Sequence, residues 1–266
     1  MITDRDSGIG RAAAIAYARE GADVAIHYFS GEDRDAKEVA DYVEKTGRKA
    51  SLLLYDLREE QALKEMVTKT GAAFGGLDTL VLNVVQQITQ ESIEEVPVKQ
   101  VEDSFKVNIV SMFAIVQEAL PHLPAGGSIV TTSVQAFNPS DHLMDYASTK
   151  AAIANFTVSL ASQLAKKGIR VNGVAPGSIW APLQLDQGQP KDALPKFGQD
   201  SLLERAAQPA ELAPVYVFLA SNDANYVTSQ IYGVTGGEPI NLYGQGKSVC
   251  RFIRHTLLIV YYAINT

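Results

Sequence analysis

The stretch Arg11–Phe29, RAAAIAYAREGADVAIHYF, decides the fold. Its first half, Arg11–Glu20, repeats small and apolar residues at helical spacing. It stops at Gly21, the residue type that closes helices in a left-handed turn. Its second half, Ala22–Phe29, is a short apolar run carrying Val24 and Ile26, and reads as a buried strand. The same alternation runs on downstream. Glu32–Thr46 is helical and ends at Gly47, Lys49–Tyr55 is a strand reaching Asp56, and Glu59–Phe74 is helical. Leu77–Val85 is β-like, and Val98–Leu123 reads as one long helix closed by Pro124, Gly126 and Gly127. Ser128–Thr132 is a strand, Asp145–Lys167 a second long helix ending at Gly168, and Ile169–Ala175 a strand. Residues 180–209 are rich in Pro, Gly and Gln and read as a long loop. Ala210–Ala220 is helical, and Gln230–Val234 is the last strand.

Strands alternating with helices at this spacing make βαβ units and a parallel sheet. Right-handed crossovers place helices on both faces. The expected fold is therefore a single α/β domain, a Rossmann-type doubly wound sheet. Ligands of such sheets lie at the carboxyl ends of the strands, here near residues 3–10, 29, 56, 83, 133 and 176.

The composition narrows the function classes. The chain has 266 residues, 46% hydrophobic and 20% charged, which excludes a disordered chain. A net charge of −7 without a dense basic block argues against nucleic acid. Cys250 is the one cysteine, so no internal disulfide forms, and a reducing, cytoplasmic setting is expected. The four histidines are scattered and no HExxH or CxxC occurs, so no metal is expected. Met1–Asp6 lacks the apolar run of a signal peptide. Leu257–Ile264 falls short of the roughly 20 residues of a membrane helix, so no membrane is expected.

Four features carry chemistry. Thr3-Asp4-Arg5-Asp6-Ser7-Gly8-Ile9-Gly10-Arg11 opens the first helix. It reads equally as a phosphate cradle at a helix N-terminus or as a glycine-rich helix start without a ligand. Tyr146 and Lys150, four apart, share a helix face. A nearby ammonium lowers a tyrosine pKa towards working pH, and such a tyrosine exchanges a proton with a carbonyl/alcohol pair. The alternative is a solvated surface pair. Ser133 closes a strand thirteen residues before Tyr146, as a crevice hydroxyl or as a turn serine. Asn108 sits in an otherwise apolar helix, as a satisfied structural amide or as a water-holding one.

Taken in order along residues 2–240, these segments resemble the short-chain dehydrogenase/reductase superfamily. Ser7-Gly8-Ile9-Gly10, Asp56-Leu57, Asn83, Asn108, Ser133, Tyr146-Ala-Ser-Thr-Lys150 and Pro176-Gly177 carry the resemblance. Asp145-Tyr146, Gly168–Asn172, Ala175–Trp180, Gly198-Gln199, Gln208–Glu211 and Tyr216–Ser221 narrow it. They make the chain similar to bacterial NADP-dependent aldehyde reductases and glucose/ribitol dehydrogenase-like proteins.

The resemblance implies that Tyr146 is the general acid/base and that Lys150 lowers its pKa and binds the nicotinamide ribose. Ser133 would bond the substrate carbonyl, and Asn108 would hold a relay water. Thr3, Ser7, Gly8, Ile9, Gly10, Arg11, Tyr28, Asp56, Leu57, Asn83, Pro176, Gly177 and Ile179, with Tyr146 and Lys150, would line the cofactor. Residues 1–240 would form one domain, with a lid at about 180–209 centred on Trp180–Phe197. Residues 241–266 form an atypical tail. The partners implied are a small carbonyl or alcohol substrate and further copies of the chain, as a homotetramer packing its two long helices, or a dimer.

An acidic residue after the second strand would bind a ribose 2′-hydroxyl and repel a 2′-phosphate. His27-Tyr28-Phe29-Ser30 has none there, and Arg11 or Arg5 could help hold a phosphate, so NADP(H) is preferred over a possible NAD(H).

The sequence departs from the family in four places. Only Met1 and Ile2 stand where the family has a whole first strand, which leaves the neighbouring strands facing a gap. Asp4 replaces the first glycine and would repel a pyrophosphate. Leu82-Asn83-Val84-Val85 puts two valines where the backbone should approach the cofactor. The chain runs on past Gly236-Gly237 into a basic and then apolar tail, which reads first as read-through or a frame change, otherwise as an extra strand or a partner contact, or as the run Leu257–Tyr262 filling the slot of the missing strand. The leading expectation is an NADP-dependent reductase of small aldehydes or sugars. The competing one is a catalytically impaired homologue acting as a binding partner or not at all.

Overall fold

The computed structural model describes residues 1–3, 8–133, 140–185 and 193–238. Six strands are joined by helices: β1 (Val24–Tyr28), β2 (Ala50–Leu54), β3 (Thr79–Leu82), β4 (Ser128–Thr132), β5 (Arg170–Pro176) and β6 (Ile231–Val234). All pair in parallel, β1 with β2 and β3 through β6 in sequence order. Helices α1 (Gly8–Arg19), α2 (Asp33–Lys45) and α7 (Ala213–Ala220) share one core with Ile2, Ile26, Val81, Val130 and Val174. On the opposite face, α3 (Glu60–Phe74), α5 (Ser111–Ala119) and α6 (Met144–Leu164) share a second core with Leu53, Leu80, Leu82, Ile129 and Val171. Alternate residues of each strand thus serve opposite cores, as the two-residue period of a strand requires. The doubly wound α/β fold expected from the alternation is the fold observed.

The expected gap beside β1 is closed. Residues 1–3 lie between β1 and β3, and Ile2 bridges in parallel to both Ile26 and Val81. Ile2 N donates to Ala25 O (3.1 Å), His27 N to Ile2 O (3.3 Å), Val81 N to Met1 O (2.9 Å) and Thr3 N to Val81 O (3.1 Å). A strand pairs through its backbone, so three residues suffice to join the two halves into one sheet. The idea that Leu257–Tyr262 fills that slot concerns residues outside those described. The slot itself is taken by Met1–Thr3.

The expected single helix over 98–123 is interrupted. Helix α4 (Val98–Phe105) passes into a π-helical turn, Lys106–Val110, before α5. Such turns widen a helix locally and tend to mark functional positions. This one carries Asn108.

Arg170 gives an otherwise apolar strand a charge at its start. Its guanidinium donates to the carbonyls of Leu219 (2.7 Å), Ala220 (3.4 Å) and Ser221 (3.1 Å). It therefore satisfies the carbonyls at the carboxyl end of α7, where a cation is also favoured by the helix dipole. Burial lowers its pKa from the ordinary arginine value.

Candidate active site

The site is built where β3, β4 and α6 meet. Tyr146 and Lys150 lie one turn apart in α6 and are both buried, at 3% and 1% exposure. They are therefore not a solvated surface pair. A buried ammonium needs partners, and Lys150 Nζ donates to the carbonyls of Val84 (3.3 Å) and Thr132 (3.2 Å). The same Nζ stands 5.4 Å from the centre of the Tyr146 ring.

Ser133 follows β4 directly, and its N–H is held by Val174 O at 2.9 Å. Its Oγ is buried and has no hydrogen-bond partner among the described residues. An orphaned hydroxyl is costly unless something else bonds it. It is thus a ready donor for a substrate oxygen, next to the strand residue that receives Lys150.

The expected fall in the Tyr146 pKa is reversed in the protein alone. Burial pushes the phenol well above its ordinary value. Desolvation of the buried ring is the cause, and it prevails although the Lys150 ammonium stands 5.4 Å from the ring centre.

Asn108 takes the structural role of the two left open. Its Oδ1 accepts from Gln86 N (2.7 Å), and its Nδ2 donates to Gln86 O (3.0 Å) and Thr149 Oγ1 (3.0 Å). Thr149 in turn donates to Tyr146 O at 2.6 Å. The amide therefore ties the loop after β3 to the turn of α6 that carries the tyrosine and the lysine. Both of its side-chain donors are committed within the protein.

The other expected residues divide by position. Thr3 is buried, and its Oγ1 accepts from Asn83 N at 3.1 Å. Gly8 opens α1 with φ +54°, a conformation that favours glycine. Ile9 packs against the α1–α7 core, and Gly10 is buried within α1. Ser7, with Asp4 and Arg5, lies outside the described residues.

Arg11 is engaged by α2. It pairs with Glu38 of α2 at 2.6 Å and lies 5.5 Å over the Tyr42 ring. A phosphate there would have to compete with Glu38 for the guanidinium. Tyr28 donates to Asp33 Oδ1 at 3.3 Å. Asp56 is gripped by Arg58, whose Nη2 reaches Oδ2 at 2.6 Å and holds the carboxyl below its usual range. Leu57 is a core residue at 1% exposure, so only its backbone can meet a ligand.

Pro176 ends β5, and Gly177 has a packing reason to be glycine: an added Cβ would stand 2.7 Å from Thr235 Cα. Ile179 is buried and bridges to Ala207. The bulk foreseen at Val84 is directed elsewhere, because its side chain is buried in the α3–α6 core and only its carbonyl faces Lys150. Val85 is half-buried.

Three residues absent from the sequence reading join the site: Thr132, Thr149 and Gln86. A polar residue at the last position of an apolar strand was the available signal for Thr132. The other two act through single hydrogen bonds that no spacing reveals.

The residues present fit a dinucleotide. The Ser133 hydroxyl, buried and without a partner among the described residues, and a buried lysine one helical turn from a buried tyrosine stand at the carboxyl ends of β3 and β4, and Gly8 opens α1 in a conformation that favours glycine. That combination defines a Rossmann-type oxidoreductase.

A family model described as enoyl-(acyl carrier protein) reductase matches residues 4–238. The chain is 55% identical over 243 residues to the oxidoreductase YhxD of Bacillus subtilis, covering 90% of this chain and 81% of that one. It is 41% identical over 248 residues to the chloroplastic NADPH-dependent aldehyde reductase 1 of Arabidopsis thaliana, covering 91% and 85%. Among solved structures, a short-chain dehydrogenase of Burkholderia cenocepacia in complex with NADP superposes with a TM-score of 0.82 at 29% identity, covering 89% and 96%. The chain belongs to the short-chain dehydrogenase/reductase superfamily and is an NAD(P)-dependent oxidoreductase acting on small molecules. No helix among the described residues is long and apolar enough to cross a membrane.

Proposed function

We propose that this protein is a cytoplasmic, NADP-dependent reductase of small aldehydes or sugar-like carbonyls, running in reverse on the matching alcohols. The observation that carries the reading is the Ser133 hydroxyl, buried without a partner among the described residues in a site that also holds a buried Tyr146 and Lys150. When bound, the cofactor supplies a hydride to the carbonyl carbon. Ser133 donates a hydrogen bond to the carbonyl oxygen and orients it. Tyr146, protonated because it is buried, gives that oxygen its proton. Lys150 holds the nicotinamide ribose and, as cofactor enters, stands ready to favour the phenolate that remains. Of the expected lid, residues 186–192 lie outside those described; the Trp180 and Phe197 rings on either side of them stand 6.0 Å apart and would border the substrate.

The competing reading, an impaired homologue, loses one of its supports because Val84 packs inward.

The preference for NADP rests on the end of β1. Glu32 and Asp33 begin α2 close by, but Glu32 accepts from Phe29 N (2.8 Å) and Asp33 from the Tyr28 hydroxyl. Both carboxylates thus have partners within the protein. The relative and the solved neighbour named with NADPH and NADP point the same way. Titration followed by nicotinamide fluorescence is expected to give NADPH a Kd about tenfold or more below that of NADH, roughly 1.4 kcal/mol. A tighter Kd for NADH would refute the preference.

We also propose that the chain assembles through its α5–α6 face as a dimer, doubled to a tetramer. Val110, Phe113 and Val158 are about half exposed there, and the Phe113 and Phe156 rings pack edge-on at 4.7 Å. Exposed apolar clusters of this kind mark interfaces. Light scattering on the purified chain is expected to return the mass of four copies, or two at high dilution; a monomer mass at micromolar concentration would dismiss it.

A further inference from the structure

Tyr216 lies in the apolar helix α7 and is completely buried. Its backbone carbonyl accepts from the Tyr17 hydroxyl at 2.8 Å, and its own hydroxyl stands 2.7 Å from Thr132 Oγ1. Thr132 Oγ1 stands 2.9 Å from Asn83 Oδ1. These three contacts fix a direction. An amide oxygen only accepts, and a threonine hydroxyl has a single proton. Thr132 therefore gives its proton to Asn83, and Tyr216 gives its proton to Thr132.

The middle member of this chain touches the site at a second point. The carbonyl of Thr132 receives Lys150 Nζ at 3.2 Å, and the next residue is Ser133. Asn83 is anchored from the other side, its N–H donating to Thr3 Oγ1. Packing alone does not explain the tyrosine. Phenylalanine would fill the same space without the cost of burying a hydroxyl. Bonds in series in a low-dielectric interior also strengthen one another.

We propose that Tyr216 is a positioning residue for the cofactor site. Its hydroxyl holds the Thr132 rotamer. Through Thr132 it sets which edge of the Asn83 amide faces a ligand at the end of β3, beside the carbonyl that carries Lys150. The inference rests on the cofactor reading above and extends the site across the sheet to α7.

The test uses the full chain, NADPH as the probe, and two readouts: Kd by nicotinamide fluorescence, and melting temperature without cofactor. Tyr216→Phe is expected to raise Kd about three- to tenfold, the worth of one oriented hydrogen bond, while the melting temperature stays within a few degrees. Thr132→Val is expected to raise Kd at least as much, and Thr132→Ser to restore it. The double variant should match Thr132→Val alone, because the two hydroxyls act in series. An unchanged Kd with a lowered melting temperature in Tyr216→Phe would show a packing role and overturn the proposal, as would additive effects in the double variant. Should Thr132→Val fail to fold, Tyr216→Phe against Thr132→Ser decides. Wild-type protein that binds no NADPH would overturn the cofactor reading and this inference together; wild type that binds while the variants bind equally well would overturn this inference alone.

Discussion

Tyr146→Phe is expected to remove the carbonyl reductase activity while leaving the fold and the NADPH affinity in place. The side chain is buried to 3% exposure in the first turn of α6, and the change takes away one oxygen and keeps the ring. What disappears is the proton that must reach the carbonyl oxygen as hydride reaches its carbon. Positioned proton donors contribute about 10²–10⁴ in rate, so kcat should fall by at least about 10². Turnover of an aldehyde panel followed by NADPH absorbance, with Kd measured alongside, checks both halves. A variant that turns over like wild type would remove Tyr146 from the mechanism.

The pH dependence follows from the direction of the shift. Burial raises the phenol above its ordinary value, so it stays protonated through neutral pH, and kcat/KM for reduction should stay level from about pH 6 to 9. The same shift has a sign for stability. Below about pH 10 the tyrosine is neutral in both the folded and unfolded chain and nothing is lost. Above it, the unfolded tyrosine ionises while the buried one does not, so wild type loses stability as pH rises. Tyr146→Phe should lose less.

The chemistry of this site was legible because local spacing carries it. A four-residue step on a helix places Tyr146 and Lys150 on one face, and the end of β4 delivers Ser133. What spacing could not give was the state of those groups. Whether Lys150 faces the tyrosine or the backbone depends on the carbonyls of Val84 and Thr132, brought in from two other strand ends. Nor does spacing show how deeply the phenol is buried, and burial reverses its expected shift.

The same limit explains the differences in the fold. The apolar pattern of 98–120 contains no Pro or Gly, so nothing in it signals the π-turn at Lys106–Val110. The turn coincides with Asn108, whose amide is held by Gln86 and Thr149 from outside the helix. At the N-terminus, counting residues suggested a gap, but strand pairing asks only for backbone groups in register, and Met1–Thr3 supply them. Tyr216 and Thr132 are 84 residues apart and meet through single atoms. A contact of that kind leaves no periodic trace.

Lys150→Met should separate the holder of the cofactor from the donor of the proton. Methionine keeps most of the stem's volume and deletes the ammonium. Two losses follow at once. The carbonyls of Val84 and Thr132 keep their burial and lose their donor, at about 1–3 kcal/mol each. The melting temperature should therefore drop, unlike that of Tyr146→Phe. The ribose loses its cationic partner, so NADPH affinity should fall about tenfold or more. Turnover should fall as well, even at saturating NADPH, because Tyr146 no longer has a charge 5.4 Å from its ring to help it give up the proton. The decisive comparison is the cofactor Kd of the two variants: raised in Lys150→Met and unchanged in Tyr146→Phe. If Lys150→Met bound NADPH as tightly as wild type, the lysine would serve only the tyrosine and the loop after β3, and the cofactor would have to be held by the strand ends around Asn83 and Pro176 instead.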